Sequence, residues 1–356
     1  MSSLTDLTDL REAIDVVIGV DTHVATHAAA VVDARTGAVL EQITVEATAE
    51  GYAELVEFAD AHAVLRMWAI EGTGSHGAGL TRHLSTLEEV VIELDRPVRA
   101  KRRNGAKSDP LDAVRAAREA LARPRLGTPR AGHDRQALAV LVAVRRSAVQ
   151  AAADARRQLF SLIMITPEPL RARFRGANGM GLVRIAASLR VQASWDIETT
   201  ITVTALRSLA RRIKDLTDEA EVHEKAIAQI VRDWRPDLLA QPGVGPITAA
   251  IVLCAWSHPG RVHSEAAFAM LAGVAPIPAN SGQTTTRWRL NRYGDRQLNR
   301  ALHTIALSRA RYDDRTRGYI ERRTSQGKTT REARRCLKRY IARDLYRLLE
   351  NPPRTA

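Results

Sequence analysis

Hydrophobic residues in the first third of the chain come in short blocks. Residues 15–20, DVVIGV, form an apolar run that closes on Asp21; HAAAVVDA follows and leads through the turn RTGA to VLEQITVEAT. These segments, set around a glycine-containing turn, predict a three-stranded meander. Helical spacing runs from Ala49 to about His62, RMWAIEGT reads as a buried strand, residues 78–87 as a helix, and VVIELD as another strand. A further helix opens at KSDPLDAVRAA. The order β-β-β-α-β-α-β-α predicts one mixed α/β domain, residues 1–130, with helices on both sides of a central sheet.

The pattern changes after Pro129. From His133 to about Met164, and from about Thr200 to Trp234, long alanine-, leucine- and arginine-rich stretches carry no strand signal, with an irregular Gly- and Pro-containing segment between them. Two long antiparallel helices, paired as a coiled coil, are expected over 131–238, as a spacer or an oligomerisation arm. A third region, 239–356, opens with QPGVGPITAAIVLCAW and is expected to be mainly helical. Its Pro-Gly-Val-Gly-Pro turn resembles the hairpin of helix-hairpin-helix DNA-binding elements, where glycines let backbone amides approach a phosphate. A plain turn between packed helices would use the same residues.

Composition narrows the class. A chain of 356 residues with 45% hydrophobic content can bury more than one core, so disorder is not the default. Cys254 and Cys336 stand apart with no CxxC spacing and read as reduced thiols. The acidic start MSSLTDLTDLREAID lacks a secretory pattern, and no window reaches the roughly 18 apolar residues of a membrane span, so a cytoplasmic, membrane-free protein is expected. Between Thr284 and Leu348 lie 19 Lys and Arg against 6 Asp and Glu, which is the entire formal excess of +13. Seventeen of those positives are arginine, whose planar fork suits phosphate, so nucleic acid is the leading partner over a solvated basic face. Within that region Arg287, Arg289, Arg292 and Arg296 interleave with Trp288 and Tyr293, a pattern suited to phosphates and bases, although Trp288 also fits a core. The run KRRNGAK adds Arg102, Arg103 and Lys107 as further contacts.

Several acids sit where folding does not require them. Asp21 closes one apolar strand, Glu71 closes another, and Asp109 with Asp112 begins a helix. Each strand-end acid alone is an ordinary first solvated residue. Adjacent strands can nevertheless bring Asp21 and Glu71 side by side, and residues three apart on a helix share a face, so Asp109 and Asp112 can join them. Capping by Ser108 or Asp109 with Pro110 behind it accounts for only one of the two aspartates. Clustered carboxylates repel unless a cation holds them, and an all-oxygen set suits Mg2+ or Mn2+. His23, His27 and His76 lie near these motifs and read as structural or phosphate-contacting.

VIGVDTHVATHAAAVVD, AIEGTGSHG and KSDPLDA, in that order, resemble the DEDD-type, RuvC-like transposases of bacterial insertion sequences, the insertion-sequence one-hundred-ten family. PGVGPITAAIVLCAW, FAMLAGVAP, NSG and GDRQLNRALHTIA extend the resemblance over nearly the whole chain. The resemblance implies an RNase H-like (RuvC-like) catalytic domain, a coiled coil, and a C-terminal transposase domain. It also implies Asp21, Glu71, Asp109 and Asp112 as metal-binding catalytic acids. Asn280, Ser281 and Gly282 alone read as a turn; the resemblance makes Ser281 a catalytic nucleophile. It further implies donor and target DNA, a guide (bridge) RNA, and a homo-oligomer from dimer to tetramer. The alternatives are a RuvC-like structure-specific endonuclease that activates water without a serine, and a nucleic-acid-binding protein with a vestigial site.

Overall fold

A computed structural model of the chain describes residues 13–94, 109–124, 126–279, 288–291 and 293–352. They form two compact units: one ends at Ala131 and includes Ser257–His263, and the other comprises Gly132–Trp256 and the chain from Ser264 onward.

The first unit is built on strands β1 (Val16–Thr22), β2 (Thr26–Asp33), β3 (Val39–Glu46), β4 (Arg66–Glu71) and β5 (Val91–Leu94), ordered β3-β2-β1-β4-β5. β1 runs antiparallel to β2 and parallel to β4, and β4 runs parallel to β5. β1 is central and covered on both faces, so its apolar run is continuous rather than alternating. β3, at the edge, is mostly exposed and carries Glu41 and Glu46, charges that discourage pairing with another chain. Helices α1 (Ala49–Asp60) and α2 (Ala78–Thr86) cover one face: Leu55, Leu80 and Leu84 pack on Val16, Ile18, Val20, Trp68 and Ile70. Helix α3 (Asp109–Ala122) covers the other, laying Ala116, Ala117 and Ala120 on Val17, Met67, Ala69 and Ile92. The mixed α/β order read from the hydrophobic blocks is the observed one.

In the second unit, helices α4 (His133–Ile165) and α7 (Ile197–Trp234) run antiparallel, with Arg145 bonding Glu224 at 2.7 Å and Arg156 bonding Thr217 at 3.0 Å. Ala155, Leu159 and Ile163 meet Val203, Leu206, Ala210 and Ile213 in one core. The intervening segment, expected to be irregular, contains the short helix α5 (Glu168–Arg171) and helix α6 (Met180–Ser188), and Phe174, Val183 and Leu189 close the same core. α6 has only nine residues and begins after Gly179, so its periodicity is too brief to stand out.

Two elements follow: the turn α8 (Pro236–Leu239) and helix α9 (Pro246–Trp256), which is apolar all round and buried. Helices α10 (Glu265–Leu271), α11 (Arg296–Tyr312), α12 (Asp314–Ser325) and α13 (Thr330–Glu350) complete the unit, with a hairpin of β6 (Pro276–Pro278) and β7 (Trp288–Leu290) after α10. The Pro-Gly-Val-Gly-Pro turn is used for packing. Gly243 has φ 74°, and a Cβ there would lie 2.9 Å from the Ile305 carbonyl of α11. The Gly245 N–H donates to Thr248 Oγ1 at 3.0 Å. Those contacts match a turn between packed helices rather than an amide pair left open to phosphate. Among the described residues no helix is long and apolar enough to cross a membrane, and Cys254 and Cys336 are not joined in a disulfide.

Candidate metal centre

Side chains alternate along a strand, so Val17, Gly19 and Asp21 of β1 face α3 while Val16, Ile18 and Val20 face α1 and α2. Gly19 lets α3 approach the sheet closely: a Cβ there would stand 2.0 Å from the Ala113 carbonyl oxygen and 2.6 Å from the Ala117 nitrogen. Small residues along α3 thus seat its first turn, with Asp109 and Asp112, over the carboxyl end of β1. On β4, Met67 and Ala69 pair with Val17 and Gly19, so the next residue on that face is Glu71, beside Asp21 where the pairing ends.

Asp21, His23 and Asp109 each offer a ligand atom, and these atoms lie within 4.8 Å of one another. His23 Nε2 stands 3.2 Å from Asp21 Oδ2 and 3.4 Å from Asp109 Oδ1. The Asp21 side chain is 16% exposed and that of Asp109 is 54% exposed, so the group opens to solvent on the helix side. Burial pushes the Asp21 carboxyl above its ordinary value; His23 opposes the rise, and the negative charges of Asp112 and Asp109 add to it. Asp112 therefore lies within electrostatic reach of Asp21, although its own side chain bonds to Arg115. Glu71 ends the neighbouring strand outside the three-residue group, its carbonyl accepting from Thr22 Oγ1 at 2.9 Å.

The donor set fits a divalent cation. Two carboxylates and an imidazole converge, and a positive charge between them would stabilise the Asp21 carboxylate, which burial and, less, its acidic neighbours disfavour. His23, read from sequence as structural or phosphate-contacting, belongs to this group. The signal was available: in Asp-Thr-His at a strand end, the first and third residues share a face. His27 lies on the opposite face, fully buried, stacked on Tyr52 at 5.7 Å and bonded through Nδ1 to the Thr26 carbonyl at 2.9 Å. His76 is exposed in the turn after β4.

The segment after Glu71 is anchored by a residue the sequence did not single out. Glu93 of β5 accepts from Thr73 Oγ1 at 2.9 Å, from Arg130 at 3.2 Å and from Arg261 at 3.0 Å. Ser281, Arg102, Arg103, Lys107, Arg287 and Arg292 lie outside the described residues. Arg289 is exposed on β7, and Arg296 is exposed at the first turn of α11.

Residues 18–166 match the model of a transposase family of the DEDD, IS110 type, and residues 236–321 match that of the transposase IS116/IS110/IS902 family. The chain is 28% identical over 228 residues to the insertion element IS900 uncharacterized 42 kDa protein of Mycobacterium paratuberculosis, covering 58% of this chain and 56% of that protein. It is 35% identical over 98 residues to the insertion element IS110 uncharacterized 43.6 kDa protein of Streptomyces coelicolor, covering 28% of this chain and 24% of that protein. The chain thus spans about half the length of the first relative and a quarter of the second.

Proposed function

We propose, from the premise that this chain belongs to the IS110-type DEDD transposases of insertion elements, that it cuts and rejoins DNA strands to move such an element. The observation that carries the reading is the convergence of Asp21, His23 and Asp109 at the end of a central strand, with Asp21 destabilised as an anion by burial and by its acidic neighbours. The family is divalent-metal dependent, and Mg2+ is the ion that best suits the carboxylates, with Mn2+ as its closest substitute. Asp21 and Asp109 would hold it, with His23, Glu71 and Asp112 completing or orienting the set. A bound divalent ion supplies polarisation of the scissile phosphate and neutralises charge that builds on its oxygens.

The catalytic unit has the β-β-β-α-β-α-β-α order and mixed sheet expected of an RNase H-like nuclease, and the paired helices α4 and α7 suit a coiled-coil arm for a dimer or tetramer. Ser281 is the nucleophile in this reading. Its Oγ forms a bond to phosphorus as the bond from phosphorus to the departing strand's oxygen breaks, leaving a phosphoserine ester to DNA. The hydroxyl proton passes to solvent, and the departing oxygen takes one up. Energy of the phosphodiester is conserved in that ester, so the strand can be rejoined to a new partner. The basic residues Arg102, Arg103, Lys107, Arg287, Arg289, Arg292 and Arg296 contact phosphates of DNA and of a guide RNA.

The test uses the full chain with DNA carrying the element's ends and RNA transcribed from its flank. Wild type with Mg2+ is expected to give a protein–DNA adduct on denaturing gels, absent in Ser281→Ala. Asp21→Asn is expected to abolish cleavage and to weaken Mn2+ binding at least tenfold in a titration without DNA. Normal cleavage by Ser281→Ala would transfer the reading to a water-activating endonuclease, and unimpaired cleavage by Asp21→Asn would remove the metal centre.

A further inference from the structure

The C-terminal unit holds a cavity of about 860 Å³ bounded by α10, the β6–β7 hairpin, α12 and α13. Its wall is strongly cationic: Arg289, Arg323, Arg335, Lys338, Arg339 and Arg343 all line it. The two carboxylates on that wall are engaged elsewhere. Glu265 accepts from Arg347 Nε at 2.9 Å, and Glu332 closes the capping box of α13 with Thr329. Arg335, Arg339 and Arg343 recur every fourth residue along α13, an arrangement of like charges that weakens a helix. Stability does not explain it.

Other features of the wall point to an anion. The Nε atoms of Arg323 and Arg343 are buried with no hydrogen-bond partner among the described residues, a state that costs free energy until an acceptor arrives. Burial, and then the charge of Arg335, hold the Lys338 ammonium below its ordinary pKa. Aromatic surface accompanies the charge. Tyr319 and Tyr340 line the cavity and meet edge to face at 5.7 Å, Arg343 lies 5.1 Å from the Tyr340 ring centre, and Tyr340 is 45% exposed. Guanidinium groups beside accessible aromatic rings match a strand that presents phosphates and unstacked bases together.

We propose that this cavity seats the backbone of one nucleic-acid strand, with successive phosphates on the Arg335–Arg339–Arg343 face of α13 and a base against Tyr340. Turns of α13 place those arginines about 6 Å apart along the helix, so neighbouring phosphates of an extended strand can each find one. β6 and β7, which line the cavity through Pro276 and Arg289, are the strands on either side of Ser281 in the sequence. The inference rests on the nucleic-acid part of the proposed function and is independent of its metal chemistry.

The experiment titrates the full chain, in EDTA, with a labelled short single-stranded DNA and the same sequence as RNA, and follows fluorescence anisotropy. Arg335→Gln with Arg339→Gln is expected to weaken binding at least tenfold. It should also reduce the slope of log affinity against log salt by about 1.4, at roughly 0.7 for each single-strand phosphate lost. The control pair, Arg315→Gln with Arg331→Gln, is exposed and outside the cavity, and is expected to change affinity less than threefold. Acetylation of wild type gives a readout free of substitutions: the strand should protect Lys328 and Lys338, which line the cavity, and spare Lys214 and Lys225 of α7. Equal losses in both pairs, unprotected Lys328 and Lys338, or polyglutamate competing as well as the oligonucleotide would each overturn the proposal. The ratio of DNA to RNA affinity identifies the strand. Asp21→Asn should bind normally here, so a failed metal centre and a failed strand seat give different results.

Discussion

Gly19 shows how one missing side chain brings two others together. The α3 backbone passes so close to β1 that any Cβ at position 19 would collide with the Ala113 carbonyl oxygen, 2.0 Å away. Gly19→Val is expected to cost about 3 kcal/mol in urea unfolding, the upper range for overpacking, and to weaken Mn2+ binding by lifting Asp109 away from Asp21. Unchanged stability would show that α3 does not rest on Gly19. His27 presents a different balance. Its ring is buried and its Nε2 has no hydrogen-bond partner among the described residues, and burial holds its pKa below the ordinary value of 6.5. The unfolded chain takes up a proton that the folded chain refuses. The stability that depends on neutral His27 is therefore present above pH 6.5 and is lost as pH falls below it, approaching about 1.4 kcal/mol per pH unit for one proton. His27→Phe keeps a ring against Tyr52, and the Thr26 carbonyl still accepts from the His23 N–H at 3.0 Å. Melting followed from pH 7.5 to pH 5 should fall less in this variant than in wild type; parallel curves would show that His27 is not the group responsible.

Between elements, the C-terminal unit is joined by polar contacts that hydrophobic spacing does not reveal. Gly273, with φ 64° at the end of α10, lies so near the turn before α11 that a Cβ on Gly294 would fall 2.2 Å from its nitrogen. Asn299 of α11 donates to the carbonyls of Ala272 at 2.7 Å and Gly273 at 3.2 Å, and accepts from Lys338 of α13 at 2.8 Å. One side chain thus ties three helices beside the basic cavity. Asn299→Ala leaves two carbonyls and an ammonium short of a partner, so a loss of about 1–3 kcal/mol is expected in urea unfolding. A smaller change would mean that water replaces the amide. From the sequence, the motif GDRQLN carried the family likeness, yet nothing in its spacing indicates that Asn299 serves packing. In the first unit the elements were legible in order because β1, β2 and β4 are apolar blocks, the exposed edge strand β3 follows a glycine-containing turn, and each helix has a buried stripe. α6 was not, because nine residues carry too little periodicity to separate a helix from an irregular segment.

For the molecule as a whole, charge is the property with the longest reach. The formal excess of +13 sits between Thr284 and Leu348; α11 and α13 display it on helices whose apolar faces are buried, and α12 adds to it with Thr316 as its one buried side chain. Binding to non-specific duplex DNA is expected to weaken by about a thousandfold or more between 50 and 200 mM salt, the response to neutralising some six phosphates; salt-insensitive binding would separate this charge from phosphate recognition. Location of charge, order of elements, and the positions of Asp21, Glu71, Asp109 and Asp112 were all readable along the chain, because hydrophobic period and residue type are local properties. The convergence of His23 with Asp21 and Asp109 in the candidate metal group, the Glu93 anchor and the basic cavity were not. Each depends on atoms brought within a few ångströms by strand register and helix approach, and such distances are set by packing between segments far apart in the sequence.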